Sequence, residues 1–260
     1  MAIPVVVMGA AGRMGTMLVR MVAEAEDLEL AAVIERESQL EAVEKYGCLS
    51  GSDISAVLAR LEKTPVIIDF TAPSASLDTA KAAAAAKAPI VIGTTGFTQE
   101  EKNTLEYLAA QTPLFWSPNM SVGVNVLLKV LPELTKLLGA EYDIEMTEIH
   151  HNKKKDAPSG TAVRLAETLA EARGWSLEET ACYHREGIIG ARPEKEIGIQ
   201  ALRGGDVVGV HTVYFMGPGE RIELSHQAHS RENFASGALR AVRWLHDRSA
   251  GKLYSMQDIL

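Results

Sequence analysis

The sequence predicts an α/β protein in two parts: a parallel sheet covered by helices, then an α+β part with a mostly antiparallel sheet. In the first half, short apolar runs alternate with segments whose apolar residues recur at helical spacing. Strands that are apolar throughout are typical of parallel sheets covered on both faces. In the second half, glycine-rich turns separate successive strands, which favours antiparallel pairing. The low aromatic content, 5% of residues, also favours α/β over all-β.

Strands and helices follow one another regularly in the first half. The predicted strands are Pro4–Met8, Leu28–Ile34, Val66–Phe70, Ile90–Ile92 and Leu114–Trp116. The predicted helices are Arg13–Ala25, Ser74–Lys87 and Gln99–Ala110. The segment between Cys48 and Lys63 is predicted as helix plus loop. This alternation predicts a doubly wound sheet of the Rossmann type.

The second half begins with a predicted helix at Ser121–Leu138, followed by a strand at Tyr142–His150 and a helix at Thr161–Arg173. Three strands joined by glycine-rich turns then predict an antiparallel meander: Ile197–Arg203, Val207–Phe215 and Arg221–Ala228. Apolar residues at helical spacing from Phe234 to Leu245 predict a last helix. Periodicity alone leaves open whether that helix covers the second sheet or returns to the first.

The composition narrows the classes of function. A formal net charge of −8 argues against general nucleic-acid binding, because a phosphate backbone requires a broad basic surface. No apolar stretch is long enough to predict a membrane span. Cys48 and Cys182 lie far apart and form no CxxC pair, so we expect free thiols and a cytoplasmic location.

The stretch VVVMGAAGRMG joins an apolar strand to a helix through Gly9, Gly12 and Gly15. A turn this tight requires residues without Cβ, and the helix that follows directs free N–H groups towards an anion such as a pyrophosphate. Glu35 ends the next strand 23 residues after Gly12, which is the expected position of an acid that binds ribose. The alternative, a tight turn without a ligand, is disfavoured by this strand–helix–strand context.

Two arginines bear on which nicotinamide cofactor binds. Glu35 favours a ribose diol, whereas the adjacent Arg36 favours a 2′-phosphate, so both NADH and NADPH are predicted to bind. Arg13 lies inside the glycine-rich turn, which favours binding of a cofactor phosphate by its side chain. The alternative interpretation of Arg36 is that it is a solvated charge in a loop. Two further strand ends have polar tips that we expect to contact the nicotinamide: Gly93-Thr94-Thr95-Gly96 and Ser117-Pro118-Asn119-Met120.

The stretch EIHHNKKKDAPSGTA, residues 148–162, concentrates positive charge in an acidic chain. His150 and His151 form a histidine pair, and histidine titrates close to neutral pH, so one of them is a candidate proton donor. The neighbouring lysines supply fixed charge. The helix that begins near Ser159 has free N–H groups that can bind a carboxylate. Together these features predict a pocket for a small anion beside an acid.

Other interpretations of this stretch remain. Lys153 and Lys155 can be solvated loop charges, and Ser159 or Thr161 can serve only as a helix cap. A metal site is disfavoured because no acid or cysteine stands at ligand spacing near the histidines and the lysines would repel a cation. We therefore predict no metal.

The same stretch resembles the signature E-x-H-H-x-x-K-x-D-x-P-S-G-T-A of the dihydrodipicolinate reductase (4-hydroxy-tetrahydrodipicolinate reductase) family, and it matches at every defined position. The resemblance extends through GAAGRMG, IER, DFTAPS, VIGTTGF, NMSVGVNVLLK, REG, RGGDVVGVHTV and GERIELSH. It implies that 4-hydroxy-tetrahydrodipicolinate, a cyclic unsaturated dicarboxylate, is reduced by NADH or NADPH to tetrahydrodipicolinate. That reaction belongs to the diaminopimelate route to lysine.

The resemblance also implies roles for individual residues. His150 would donate the proton with Lys154 as its partner, and His151, Gly160 and Thr161 would hold the substrate. The implied cofactor contacts are Gly9, Ala10, Ala11, Gly12, Arg13, Met14, Glu35, Arg36, Gly93, Thr94, Thr95, Ser117, Pro118, Asn119 and Met120.

At the level of domains, the resemblance implies a dinucleotide-binding domain at 1–121 and a substrate-binding and oligomerisation domain at 122–229. The C-terminal helix, within 230–260, would return to the first domain, and the protein would form a homotetramer through the second sheet. Two alternatives stay open: a different two-domain dehydrogenase, and a non-catalytic sensor of nicotinamide nucleotides.

Overall fold

The computed structural model describes residues 2–260, which divide into two compact units. The first comprises residues up to Ser121 together with Glu232–Leu260, and the second comprises Val122–Arg231. No helix among the described residues is long and apolar enough to cross a membrane.

The first unit is built around a seven-stranded sheet in which every pairing is parallel. Its strand order is β12-β6-β5-β4-β1-β2-β3. The strands are β1 (Ile3–Met8), β2 (Leu28–Ile34), β3 (Leu49–Gly51), β4 (Val66–Asp69), β5 (Ile90–Ile92), β6 (Leu114–Trp116) and β12 (Leu253–Tyr254). The helices are α1 (Arg13–Glu24), α2 (Ile54–Leu58), α3 (Pro73–Ala86), α4 (Gln99–Ala109) and α8 (Glu232–Leu245). The predicted Rossmann-type sheet is therefore confirmed.

Burial explains why these strands are apolar throughout. Val5, Val6 and Val7 of β1 have no exposed surface, because helices cover both faces of the central strands. The last helix belongs to this unit: α8 packs against α1, and Arg243 forms an ion pair with Asp27 at 2.6 Å. Two short strands, β3 and β12, were not predicted, since two or three residues are too few to show a periodicity.

The second unit contains a five-stranded sheet with the order β11-β10-β7-β9-β8. Its elements are α5 (Val122–Leu138), β7 (Asp143–His150), α6 (Gly160–Arg173), α7 (Leu177–Thr180), β8 (Ala181–Cys182), β9 (Ile197–Arg203), β10 (Gly209–Gly217) and β11 (Glu220–Ala228). One face of the sheet packs against α5 and α6 through a core that includes Leu131, Leu165 and Phe215.

The predicted meander was wrong in one respect. β10 and β11 form the expected antiparallel hairpin, but β9 does not pair with β10. Instead β7 lies between them, antiparallel to β10 and parallel to β9, so the sheet is mixed. Buried positions on β7 and β9 face each other across this pairing, for example Met146 and Ile199. A long-range packing preference thus overrides the tendency of consecutive strands to pair.

Candidate functional site

The glycine-rich turn lies where β1 ends and α1 begins. Gly9 has a φ of +63°, and a Cβ there would lie 2.9 Å from the Thr71 side chain. A Cβ on Gly15 would overlap the Gly9 carbonyl oxygen, and one on Gly12 would lie 3.1 Å from the same atom. The turn is therefore as compact as its backbone allows, and it leaves space where a side chain would otherwise stand.

Backbone hydrogen bonds fix the turn to the end of β2. The amides of Gly9 and Ala10 donate to the Ile34 carbonyl, at 2.8 and 3.3 Å. The Ala11 amide donates to Oε2 of Glu35 at 2.9 Å. Gly12 caps α1 without a side-chain acceptor, so the first-turn amides, which include those of Arg13 and Met14, remain directed at a potential anion.

Glu35 is buried, and its carboxylate binds two amides, those of Ala11 and Arg36. Arg36 itself is exposed over 77% of its side chain, and its Nε lies 3.8 Å from Glu35. The structure therefore places Glu35 and Arg36, the two residues predicted to bind the ribose and a 2′-phosphate, next to each other. Glu35 is held by hydrogen bonds, whereas Arg36 extends into solvent.

The other predicted cofactor residues lie at the carboxyl ends of β5 and β6, at the same edge of the sheet. The Thr94 hydroxyl is 2.7 Å from that of Ser76, and the Thr94 carbonyl accepts from the Trp116 indole N–H at 3.0 Å. A Cβ on Gly93 would overlap the Phe70 ring. Ser117 donates to the Asn119 carbonyl at 2.8 Å. The remaining positions differ in exposure: Thr95 and Pro118 are exposed, whereas Met120 is buried.

Asp69, at the end of β4, joins this group although it was not among the predicted site residues. Its side chain is fully buried, and Oδ1 accepts from the Thr71 amide, the Thr71 hydroxyl and the Ser76 hydroxyl at 2.6–2.8 Å. Its Oδ2 has no hydrogen-bond partner among residues 2–260. Asp69 thus links the β4 end to the β5 end through Ser76 and Thr94.

The second unit carries the histidine pair at the end of β7. His150 is buried, and its Nδ1 lies 2.6 Å from Oε2 of Glu148, a carboxylate with no exposed surface. The two residues share one face of β7 because strand side chains alternate with a period of two. With Nδ1 engaged, Nε2 is the ring nitrogen of His150 that remains for a ligand.

Burial and charge act in opposite directions on this pair. Burial favours the neutral form of Glu148, yet hydrogen bonds from Arg203, His150 and the Ser159 amide hold the pKa of Glu148 below its usual value. Burial lowers the pKa of His150, and the hydrogen bond to Glu148 opposes this without cancelling it. The unit therefore holds a buried carboxylate–imidazole pair.

His211 was not among the predicted site residues, but the structure places it beside His150. Their ring centroids are 5.2 Å apart, and His211 Nε2 lies 3.0 Å from the Ser159 hydroxyl. Burial, with a smaller contribution from His150, lowers the pKa of His211 to about 4. The sequence contains a pattern that could have located His211. His211, Val213 and Phe215 stand at every second position, so they share one face of β10, and that face is buried.

The remaining predicted residues lie in the loop that joins β7 to α6. Lys154 is partly buried and binds Asp156 at 2.8 Å, whereas Lys153 and Lys155 are exposed. His151 carries a buried Nδ1 without a hydrogen-bond partner in the described chain. Ser159 caps α6 by accepting from the Ala162 amide at 3.1 Å. Gly160 and Thr161 follow as the first two residues of α6.

The sequence is similar to known proteins along its whole length. Residues 3–120 match the family described as "Dihydrodipicolinate reductase, N-terminus", and residues 123–260 match "Dihydrodipicolinate reductase, C-terminus". Two proteins named 4-hydroxy-tetrahydrodipicolinate reductase are similar to it. That of Nitratidesulfovibrio vulgaris (strain DP4) is 63% identical over 259 residues and covers 100% of both chains. That of Geotalea daltonii is 49% identical over 267 residues, covering 99% of this chain and 98% of its own.

A solved structure agrees with these relatives. Dipicolinate-bound dihydrodipicolinate reductase from Paenisporosarcina sp. TG-14 superposes with a TM-score of 0.81 at 27% identity, covering 100% of both chains. The matches to both parts of the family, the two full-length relatives and this structure show that the chain belongs to the dihydrodipicolinate reductase family.

Proposed function

We propose that this chain reduces 4-hydroxy-tetrahydrodipicolinate to tetrahydrodipicolinate in lysine and diaminopimelate biosynthesis. The observation that carries the proposal is the Glu148–His150 pair, which stands beside Lys154 and the start of α6. A cyclic dicarboxylate requires positive groups for binding, and reduction of its unsaturated ring requires a proton as well as a hydride. This loop supplies both requirements in a chain whose net charge is −8.

A nicotinamide cofactor fits the first unit, because the three glycines of the turn leave its backbone open to the approach of a pyrophosphate. When bound, the reduced cofactor supplies hydride to the substrate ring. Gly9 to Met14 would hold the pyrophosphate, Glu35 the ribose and Arg36 a 2′-phosphate, so that NADH and NADPH are both accepted. The polar ends of β5 and β6, at Gly93–Thr95 and Ser117–Met120, would contact the nicotinamide.

The second unit would bind the dicarboxylate and supply the proton. Nε2 of His150 gives its proton to the ring after hydride arrives, and Nδ1 stays on Glu148. Lys154 and the amides of Gly160 and Thr161 hold the substrate carboxylates. His151 contributes a further polar contact, and its buried Nδ1 without a protein partner supports that role.

We assign oligomerisation to the second unit as well, in a homotetramer. The sheet face opposite α5 and α6 presents partly exposed residues, among them Tyr214, Leu202 and Met216, the last two at 47% and 38% exposure. Such a face supports association with other copies of the chain. The assignment of cofactor binding to residues 1–121, of substrate binding to residues 122–229 and of the returning helix to residues 230–260 stays a prediction. The cytoplasmic location, which was predicted from the unpaired Cys48 and Cys182, stays a prediction as well.

A steady-state assay with NADH and NADPH on freshly prepared substrate tests the reaction. His150→Gln should lower kcat by roughly 10²-fold and leave cofactor binding unchanged, because a general acid commonly contributes that much. His184→Gln, at a residue whose side chain is 76% exposed, is the matched control and should turn over normally. A wild-type chain that binds nucleotide without turnover would support the sensor alternative, and unchanged kcat in His150→Gln would remove the proton-donor assignment.

A further inference from the structure

Glu148 is surrounded by hydrogen-bond donors on every side. Its Oε1 accepts from the Ser159 amide at 2.9 Å and from Arg203 at 2.7 Å. Its Oε2 accepts from the other terminal nitrogen of Arg203 at 2.7 Å and lies 2.6 Å from His150 Nδ1. The sheet brings these groups together, because Arg203 on β9 pairs with His150 on β7 in the parallel register. A bidentate arginine–carboxylate pair therefore stands directly behind the imidazole.

We propose that Glu148, clamped by Arg203, is a positioning residue that fixes the tautomer of His150. An ionised Glu148 can only accept, so Nδ1 of His150 must carry a hydrogen and Nε2 becomes the site of the exchangeable proton. In the imidazolium form both nitrogens carry hydrogen. Transfer breaks the Nε2–H bond and forms a bond to substrate, while Glu148 stays a carboxylate. This inference rests on the proposed function, in which His150 is the proton donor.

Arg203 explains why Glu148 remains ionised inside the protein. A carboxylate with no exposed surface is costly unless paired, and Arg203 supplies both a charge and two hydrogen bonds. Arg203 is itself fixed, because it donates to the carbonyls of Asp156 at 2.8 Å and Leu202 at 2.6 Å. Asp156 in turn binds Lys154 at 2.8 Å. Arg203 therefore contacts Glu148 directly and is connected to Lys154 through Asp156.

A glutamine at position 148 cannot reproduce this arrangement. If its NH2 group took the place of Oε1, it would face Arg203 and the Ser159 amide, which are both donors. If its NH2 group took the place of Oε2, it would face Arg203 and would force His150 Nδ1 to accept. The first orientation sets the NH2 group against two donors and the second against only one, so the second is favoured, and His150 Nδ1 must then accept a hydrogen bond.

Nuclear magnetic resonance of protein labelled with 15N-histidine tests the tautomer without requiring turnover. The signals of His150, one of seven histidines, are identified by their loss in His150→Gln. We expect the neutral wild-type ring to carry hydrogen on Nδ1. Glu148→Gln should shift His150 towards hydrogen on Nε2, and Glu148→Asp, which keeps the charge, should restore the wild-type pattern at least in part. Hydrogen on Nε2 in wild type, or an unchanged pattern in Glu148→Gln, would overturn the proposal.

The pH dependence of kcat provides a second readout. The charged and titratable groups near the imidazole are Glu148, which raises the pKa of His150, Lys154 and Arg203, which lower it, and His211. Without the Glu148 carboxylate, nothing opposes the lowering of the His150 pKa by burial, Lys154 and Arg203. The loss of activity with rising pH should therefore occur at lower pH in Glu148→Gln, and kcat at neutral pH should fall at least about tenfold.

Glu145 offers a matched control on the same strand. It also accepts two hydrogen bonds from one arginine, Arg185, at 3.0 and 2.7 Å, but it lies on the opposite face of β7 and does not contact His150. Glu145→Gln should leave the His150 tautomer and the pH profile unchanged, and equal shifts in both variants would reduce Glu148 to a structural role. If the tautomer follows Glu148 but His150→Gln keeps its kcat, the positioning by Glu148 holds and the assignment of His150 as proton donor fails, and a wild-type chain without turnover would instead remove the proposed reaction.

Discussion

The glycine-rich turn of the first unit and the β7–α6 loop of the second are built in opposite ways. The turn acts mainly through its backbone: Gly9, Gly12 and Gly15 carry no side chain, and the amides of Gly9 and Ala10 are held by the end of β2. The loop depends on side chains, with Glu148 and His150 at the centre of a buried hydrogen-bond network. The turn is therefore defined within a few consecutive residues, whereas the network requires partners from distant strands.

This difference determines what each region tolerates. A backbone site is sensitive to any added atom and insensitive to most side-chain chemistry. A side-chain network is sensitive to the loss of one donor or acceptor, because a buried polar group left unpaired costs about 1–3 kcal/mol.

The largest effect is expected at Gly15, where a Cβ would overlap the backbone carbonyl of Gly9. Neither group can move without opening the turn, so Gly15→Ala should lower the free energy of unfolding by about 3 kcal/mol or more and abolish nucleotide binding. Gly160 is the matched control, because it begins α6 and no atom lies within 4 Å of its ideal Cβ. Gly160→Ala should change the free energy of unfolding by less than about 1 kcal/mol. Urea unfolding and nucleotide titration measure both variants, and wild-type behaviour of Gly15→Ala would contradict the steric argument.

The same contrast explains how much the sequence could predict. The structure places Glu35 against the glycine-rich turn as the spacing predicts, because that spacing is local and each glycine has a steric reason. The catalytic and substrate-binding roles of His150, Lys154 and the start of α6 were predicted because a histidine pair, lysines and a helix N-terminus follow one another in one short stretch. Arg203 and His211 received no role although both stand in RGGDVVGVHTV, because their place beside Glu148 depends on the pairing of β7 with β9 and β10. The predicted meander excluded that pairing, so the network could not be assembled from the sequence.

Lys154 tests whether the loop acts through one positioned side chain or through diffuse charge. It is partly buried and fixed by Asp156, whereas its neighbours Lys153 and Lys155 are exposed. Lys154→Ala should lower kcat/KM at least about tenfold, since a hydrogen bond to a charged group contributes about 1.5–3 kcal/mol. Nicotinamide affinity should stay near wild type.

The inhibition constant of pyridine-2,6-dicarboxylate, a planar dicarboxylate, measures the same site directly across the three lysine variants. Inhibition should weaken in Lys154→Ala and change little in Lys153→Ala and Lys155→Ala, because exposed charges are screened by solvent. Equal weakening in all three variants would mean that the loop is only a basic patch.

The smallest effect is expected at Arg36, the exposed side chain beside the backbone-built turn. Glu35 is fixed by two amides and would bind the ribose of either cofactor, but only NADPH carries a 2′-phosphate for Arg36 to bind. Since 77% of the Arg36 side chain is exposed, the lost interaction is partly screened, and Arg36→Ala should weaken NADPH binding by about tenfold or less while NADH binding is unchanged. Fluorescence titration of the two reduced cofactors gives the ratio of their dissociation constants. Equal weakening of both would show that Arg36 supports the turn rather than selecting the cofactor. Recognition of the cofactor at this end of the site would then depend on the backbone and Glu35, without a contribution from the Arg36 side chain.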